Sequence, residues 1–125
     1  MGLPTPKAAE INLKYNSPKR KRMIVRTWHG CVPLIHGEAF SHHLEITGVR
    51  HAQETPGNLG VFVRRETQAQ WEHFFLATYW ESLDAIKKFA GEQSAVALTY
   101  PDDQKFFLIS DPFVFHHEVS RIKPL

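Results

Sequence analysis

The chain has 125 residues, of which 42% are hydrophobic and 22% charged, and a formal net charge of +2. That length suits one domain with a single core, and the balance excludes a disordered or fibrous polymer. The lone cysteine, Cys31, excludes an internal disulfide framework and a cysteine-built zinc site, and no apolar run approaches the roughly 20 residues needed to span a bilayer.

Residues 1–22 read as a partly extended arm. Pro4, Pro6 and Pro18 interrupt it, and SPKRKR (17–22) concentrates four positive charges. One reading of that run is a nucleic-acid or nuclear-import patch; the other is a solvated entry to the first strand. The second is preferred, because nothing aromatic or basic extends the patch and the net charge is small, so nucleic acid is not an expected partner. The N-terminus has no apolar core of the signal-peptide kind, and Pro6 stands where a myristoylation motif needs Ser or Thr. No membrane partner is expected, and the expected location is the cytoplasm.

The core domain is expected over 23–119, with a charged tail over 120–125. MIVRTWHGCV (23–32) is β-branched and ends at Pro33, as a first strand would. GEAFSHHLEITG (37–48) carries Ala39, Phe40, His43, Leu44 and Thr47 at helical spacing, with Gly48 at the position of a helix stop. LGVFVRRE (59–66) reads as a second strand, and a short polar turn joins it to a third over about 70–80, a hairpin. Ser82 then caps a helix in LDAIKKFAGE, whose Leu83, Ile86, Phe89 and Ala90 form one stripe and which Gly91 closes. SAVALTYPDD (94–103) suits a loop or a short helical turn, and KFFLISDPFVFHHEV holds one or two last strands.

The order is strand, helix, strand, strand, helix, strand. It predicts an α+β fold, ferredoxin-like βαββαβ, with a four-stranded antiparallel sheet and both helices on one face. The third strand is central in that arrangement, and its sequence poses a problem. In HFFLATYW (73–80), Phe74, Leu76, Thr78 and Trp80 fall on one side, and Phe75, Ala77 and Tyr79 on the other. Helices cover one side, and no element remains for the second. Leaving three or four large apolar groups wet forfeits roughly 5–10 kcal/mol, comparable to the stability of a whole domain. The predicted solution is a homodimer, two open faces pressed together about a two-fold axis.

With RTWHG in strand one, PGNLGVFVRR leading into strand two, YWESLDAIKKFAGE across strand three and the second helix, TYPDDQKFFL after it and FHHEV at the end, the chain resembles the antibiotic biosynthesis monooxygenase family of dimeric α+β barrels. The similarity spans roughly residues 23–119. It implies a dimeric barrel and a small-molecule cavity between sheet and helices. Some members of that family oxidise polycyclic aromatics with O₂ and neither metal nor flavin; others degrade haem. The haem-degrading pattern needs an asparagine on strand one and a histidine at the end of helix two. Residues 23–32 contain no asparagine, and the histidine is missing too, so no cofactor is carried over.

Each candidate for chemistry has a plainer reading beside it. Arg26 and Trp28 share one side of strand one, as anchor and stacking wall of the cavity, or as an ion-pair arginine and a core tryptophan. Trp80 would stack on a planar ligand, or lock the strand–helix corner. Phe40 belongs to the same substrate-binding set. His43, between Phe40 and Leu44 on the apolar stripe, is a candidate general base in a dry pocket, or a satisfied polar plug. His116 on the last strand is the second candidate base, and His73 reads as a hairpin or interface residue. No metal site is expected: His42 and His43 lie about 100° apart on a helix, and His116 and His117 point to opposite sides of a strand. Cys31 reads as inert packing.

Two functions remain open at this level. One is a cofactor-independent monooxygenase-like enzyme acting on a small aromatic or polyketide-type molecule. The other is a non-catalytic ligand-binding or stress-response barrel on the same dimeric frame, which a cavity too small for a bicyclic ligand would favour.

Overall fold

The computed structural model describes residues 21–122; the expected arm and basic run therefore lie outside the described residues except at Lys21 and Arg22, as does the end of the tail. Strand β1 (Lys21–Pro33) is followed by a 3₁₀ turn (Leu34–His36), helix α1 (Gly37–Leu44), a π turn (Glu45–Val49) and helix α2 (Arg50–Glu54). Then come β2 (Asn58–Gln68), β3 (Trp71–Trp80), α3 (Leu83–Ala90), a 3₁₀ turn (Asp103–Phe106), β4 (Ile109–Ser110) and β5 (Phe115–Arg121). No helix among the described residues is long and apolar enough to cross a membrane.

The sheet is antiparallel, ordered β2–β3–β1, and β1 continues to β4 at one end and to β5 at the other. β1 and β3 are thus central, compatible with a ferredoxin-like arrangement. Register assigns the faces. Ile24, Arg26, Trp28, Gly30 and Val32 lie opposite Trp80, Thr78, Leu76, Phe74 and Glu72 on the helix side. Val25, Thr27, His29 and Cys31 lie opposite Tyr79, Ala77, Phe75 and His73 on the other.

The helix side holds the core in two neighbouring clusters. Phe40 and Leu44 of α1 pack on Trp28, Val32, Phe74, Leu76 and Val114; Ala52, Ala85, Ile86 and Phe89 surround Trp80. The side chain of Ser82 accepts from Ala85 N–H at 3.1 Å, the expected cap, and Gly91 ends α3 at φ +84°. The helix expected to stop at Gly48 does not stop there. Gly48 is buried within the π turn, and helical structure runs on to Glu54. Thr55 breaks it by turning extended (ψ 127°), as the residue before Pro56 must to clear the proline ring. Gly57 follows at φ +92°, where an added Cβ would sit 2.5 Å from Cβ of Ala85; the chain can pass under α3 here only as glycine.

The start of α1 is tied to the hairpin end of the sheet by charge. Glu72 is 5% exposed; its carboxylate accepts from Thr67 Oγ1 at 2.5 Å and from Arg65 Nε at 2.8 Å. Arg65 also donates through Nη1 to Glu38 of α1 at 2.6 Å, and its guanidinium covers the Phe74 ring at 5.3 Å. The Thr67 hydroxyl first, and Arg65 after it, hold the Glu72 carboxyl below its ordinary range against the opposing cost of burial.

Removing Arg65 leaves that buried carboxylate half-partnered, so Arg65→Ala is expected to lose about 2–3 kcal/mol in urea unfolding. Because the Glu72 carboxyl is lowered in the fold, its contribution is complete above about pH 4.5 and is lost as pH falls through the lowered value. Glu72→Gln is therefore expected to flatten the acid side of a stability–pH profile; an unchanged acid limb counts against the clamp.

Candidate functional site

The sheet–helix layer contains polar side chains that a purely structural core would avoid. Arg26, on the central strand, is 4% exposed, and His43, Thr78 and Asp103 are buried with it. Arg26 donates through Nη2 to Val96 O at 3.0 Å and through Nε to Ser94 O at 3.4 Å, and its guanidinium lies 5.4 Å from the Phe89 ring centre. Among the described residues no carboxylate forms an ion pair with it. Burial lowers its pKa to about 10, with Tyr100 acting in the opposite direction, so the group stays cationic at neutral pH.

Asp103 opens the 3₁₀ turn that follows the loop from α3, and both of its oxygens are used. Oδ1 lies 2.8 Å from His43 Nε2, and Oδ2 accepts from Tyr100 N–H at 2.8 Å. A carboxylate only accepts, so His43 carries its proton on Nε2. Tyr100 meets His51 Nδ1 through its hydroxyl at 2.9 Å. Burial, and then the Asp103 charge, push the Tyr100 phenol up to about 12, with Arg26 opposing. The phenol is a proton donor here, not an anion.

These groups border a cavity of about 30 Å³ lined by Arg26, Trp28, Phe40, Leu76, Tyr100 and Asp103, among others. Volume of that order admits a water molecule or two and no aromatic ring. The structure thus brings together three of the expected substrate-binding residues, Arg26, Trp28 and Phe40. Trp80 stands apart from them: it is fully buried under α3 and donates its N–H to Thr78 Oγ1 at 2.7 Å. Trp28 donates to Ser110 Oγ at 2.8 Å, and its indole lies so close over Gly30 that an added Cβ there would meet Cζ2 at 2.5 Å. Both indole N–H groups are occupied within the protein.

The two candidate bases sit at different remove from the cavity. His43 lines a shallow outer groove with Ala39, His42 and Phe106, and reaches the cavity only through Asp103. His116 lies opposite Arg26 on β5, and its buried Nε2 has no partner among the described residues. Burial first, then the charges of Arg26 and His117, hold that imidazole below its ordinary range, favouring the neutral form. Cys31 is raised by burial and by Asp111, which disfavours the thiolate. Among the described residues no three of His, Cys, Asp and Glu converge as a metal site.

Asp103 and Tyr100 were not among the sequence candidates. TYPDDQ reads as a polar loop, and only the fold carries it over α1, 60 residues from His43 in the chain. The one local hint is the Tyr100–Asp103 spacing, at which the acid side chain takes the Tyr100 N–H and closes a turn. Neither a scan against models of known protein families nor a search of curated proteins returns a match for this chain.

Asp103→Asn is expected to cost about 1–3 kcal/mol in chemical denaturation, since it weakens one charge-assisted bond and unsettles the other. Asp102→Asn, one residue away and exposed, should stay within about 0.5 kcal/mol of the parent. Equal effects at the two positions would remove Asp103 from the candidate site.

Proposed function

We propose that the protein is a homodimeric barrel of the antibiotic biosynthesis monooxygenase type that serves as a non-catalytic small-ligand binding protein rather than as an oxygenase of polycyclic aromatics. The observation that carries this reading is the cavity of about 30 Å³, whose Trp28 indole N–H and nearby His43 Nε2 are already bonded to protein atoms. Deprotonating an anthrone-like substrate needs a ring-sized space, a base with a free nitrogen facing it and a donor for the developing oxyanion. The space is missing, and His43 is separated from it by Asp103. What the cavity does offer is a desolvated cation and a phenol beside the Asp103 carboxylate, and a ligand of few atoms with an oxygen acceptor would share donors that Arg26 and Tyr100 already direct to protein atoms.

The dimer rests on the free side of the sheet. Phe62, Phe113 and Phe115 are 59%, 61% and 67% exposed, and with half-buried Phe75, Ala77 and Tyr79 they form one apolar surface across β2, β3, β1 and β5. Covering each such ring is worth about 1.5–3 kcal/mol. Arg64 and Glu66, paired at 2.7 Å on the same face of β2, give the surface both signs of charge, so that two copies related by a two-fold axis can match one sign against the other. Among the described residues β2 is also an edge strand of 11 residues, a long edge to leave uncovered.

A second reading, acid–base catalysis on a substrate much smaller than a polycyclic, is favoured by one feature. Asp103 on His43 and a neutral Tyr100 beside Arg26 form the kind of converging set that enzymes use.

Light scattering is expected to return twice the mass of one chain at micromolar concentration, and Phe115→Lys to shift it toward one. Incubation with hydroxylated polycyclic aromatics under air is expected to give no quinone absorbance and no O₂ consumption. Turnover that disappears in Asp103→Asn would reinstate the catalytic reading, and a monomer in light scattering would end the dimer.

A further inference from the structure

The open face carries a polar feature that an interface built for apolar contact alone would lack. Asp111, in the loop after β4, sits 3.2 Å from His29 Nδ1, and His29 Nε2 lies 2.8 Å from His73 Nδ1. The two imidazoles stack at 5.1 Å between ring centres, 15° from parallel, and Phe75 packs beside both. His29 and His73 belong to the two central strands and occupy the face that the proposed second copy covers.

The proton positions along this chain follow from the groups themselves. A carboxylate accepts only, so His29 bears its proton on Nδ1. A neutral His29 then has a bare Nε2, which accepts from His73 Nδ1–H and leaves Nε2 of His73 bare. One added proton goes to His73 Nε2 without disturbing either bond. A second added proton would belong to His29 Nε2 and would point at the N–H of His73 across 2.8 Å. Each copy therefore seals the chain intact while its imidazoles are neutral, becomes cationic on the first protonation, and breaks on the second.

Other charges face this chain and set its surroundings. Glu66 of β2 lies opposite His73, and Arg64 lies opposite Phe75 with its guanidinium 3.9 Å from that ring. Cys31 of β1 is opposite His73 on the other side, and His117 of β5 is opposite Val25. Arg64 is paired with Glu66 at 2.7 Å; among the described residues Asp111 is the acid bonded to the imidazole pair, Glu72 next to His73 adds its negative field, and a second copy brings its own two imidazoles to the same apolar surface. Water that would solvate an imidazolium on the free face is expelled when that face is covered, which favours the neutral rings in the dimer.

We propose that protonation of the His29–His73 pair controls association, so that two copies join at neutral pH and separate as pH falls through the range in which imidazoles become charged. This rests on the dimer argued above. The sign follows from linkage: the separated chains bind more protons than the dimer, so the dissociation constant rises as pH falls.

Sedimentation equilibrium of the full chain at pH 7.5 and 5.5 tests it. The dimer dissociation constant is expected to rise at least about tenfold between the two, with the slope set by one proton or more per copy. His29→Gln with His73→Gln should remain dimeric and change by less than about threefold over the same range, whereas His117→Gln should keep the full response. A dimer equally tight at both pH values overturns the switch and leaves the dimer standing; a monomer at both overturns the two together. If the double variant does not fold, a dissociation constant that is flat with pH in the parent still decides against the proposal. A parent response that survives unchanged in His73→Gln alone also decides against it.

Discussion

A single antiparallel sheet with helices on one side has a second side, and in this protein that second side is apolar. β1 and β3 run down the middle, and their residues alternate between the two faces with no regard for water: Phe74, Leu76 and Trp80 go inward, while Phe75, Ala77 and Tyr79 go outward with comparable hydrophobicity. The helices satisfy the first set completely. The second set, extended by Phe62, Phe113 and Phe115, is left exposed or half-buried by the described residues. Architecture, association and the placement of any ligand all follow from how this asymmetry is resolved.

On the covered side, the physical tension is electrostatic. Arg26 stands in the centre of the sheet under the helices, where among the described residues its guanidinium is bonded to backbone carbonyls and lies near the Phe89 ring, with no carboxylate in an ion pair. A buried cation without a carboxylate is costly. The loop from α3 to β4 moderates that cost with the carbonyls of Ser94 and Val96 and the nearby Tyr100, and it separately bonds Asp103 to His43 of α1. Tyr100 and Asp103 of the same loop also line the cavity of about 30 Å³.

The uncovered side has its own polar thread, Asp111–His29–His73, laid across strands that otherwise present aromatic rings. On the covered side, Asp103 and the carbonyls of Ser94 and Val96 hold buried partners; on the open side, the imidazoles of His29 and His73 are only half-buried, and the proposed association would make their protonation matter. Two polar clusters thus flank the same central strands, one beneath each face.

Much of the fold was readable from residue order. β-branched composition and turn residues located β1, β2 and β3, and the Ser82 cap and Gly91 bracketed α3, because these signals are local; the order of elements then put β3 at the centre of the sheet, where its apolarity on both sides raised the question of cover. Arg26, Trp28 and Phe40 were legible as neighbours of one cavity for the same reason: strand and helix periods decide which way they point. What only the tertiary structure decided are the pairings across long separations, His43 with Asp103, Arg26 with the 94–96 backbone, and His29 with His73. The continuation of the first helix past Gly48 belongs with them, since a buried glycine reads as a stop until the packing of Leu44 and Leu76 against it is known. The cavity's size is the last of these, being the residue left after every side chain around it has found its rotamer, and no local pattern encodes it.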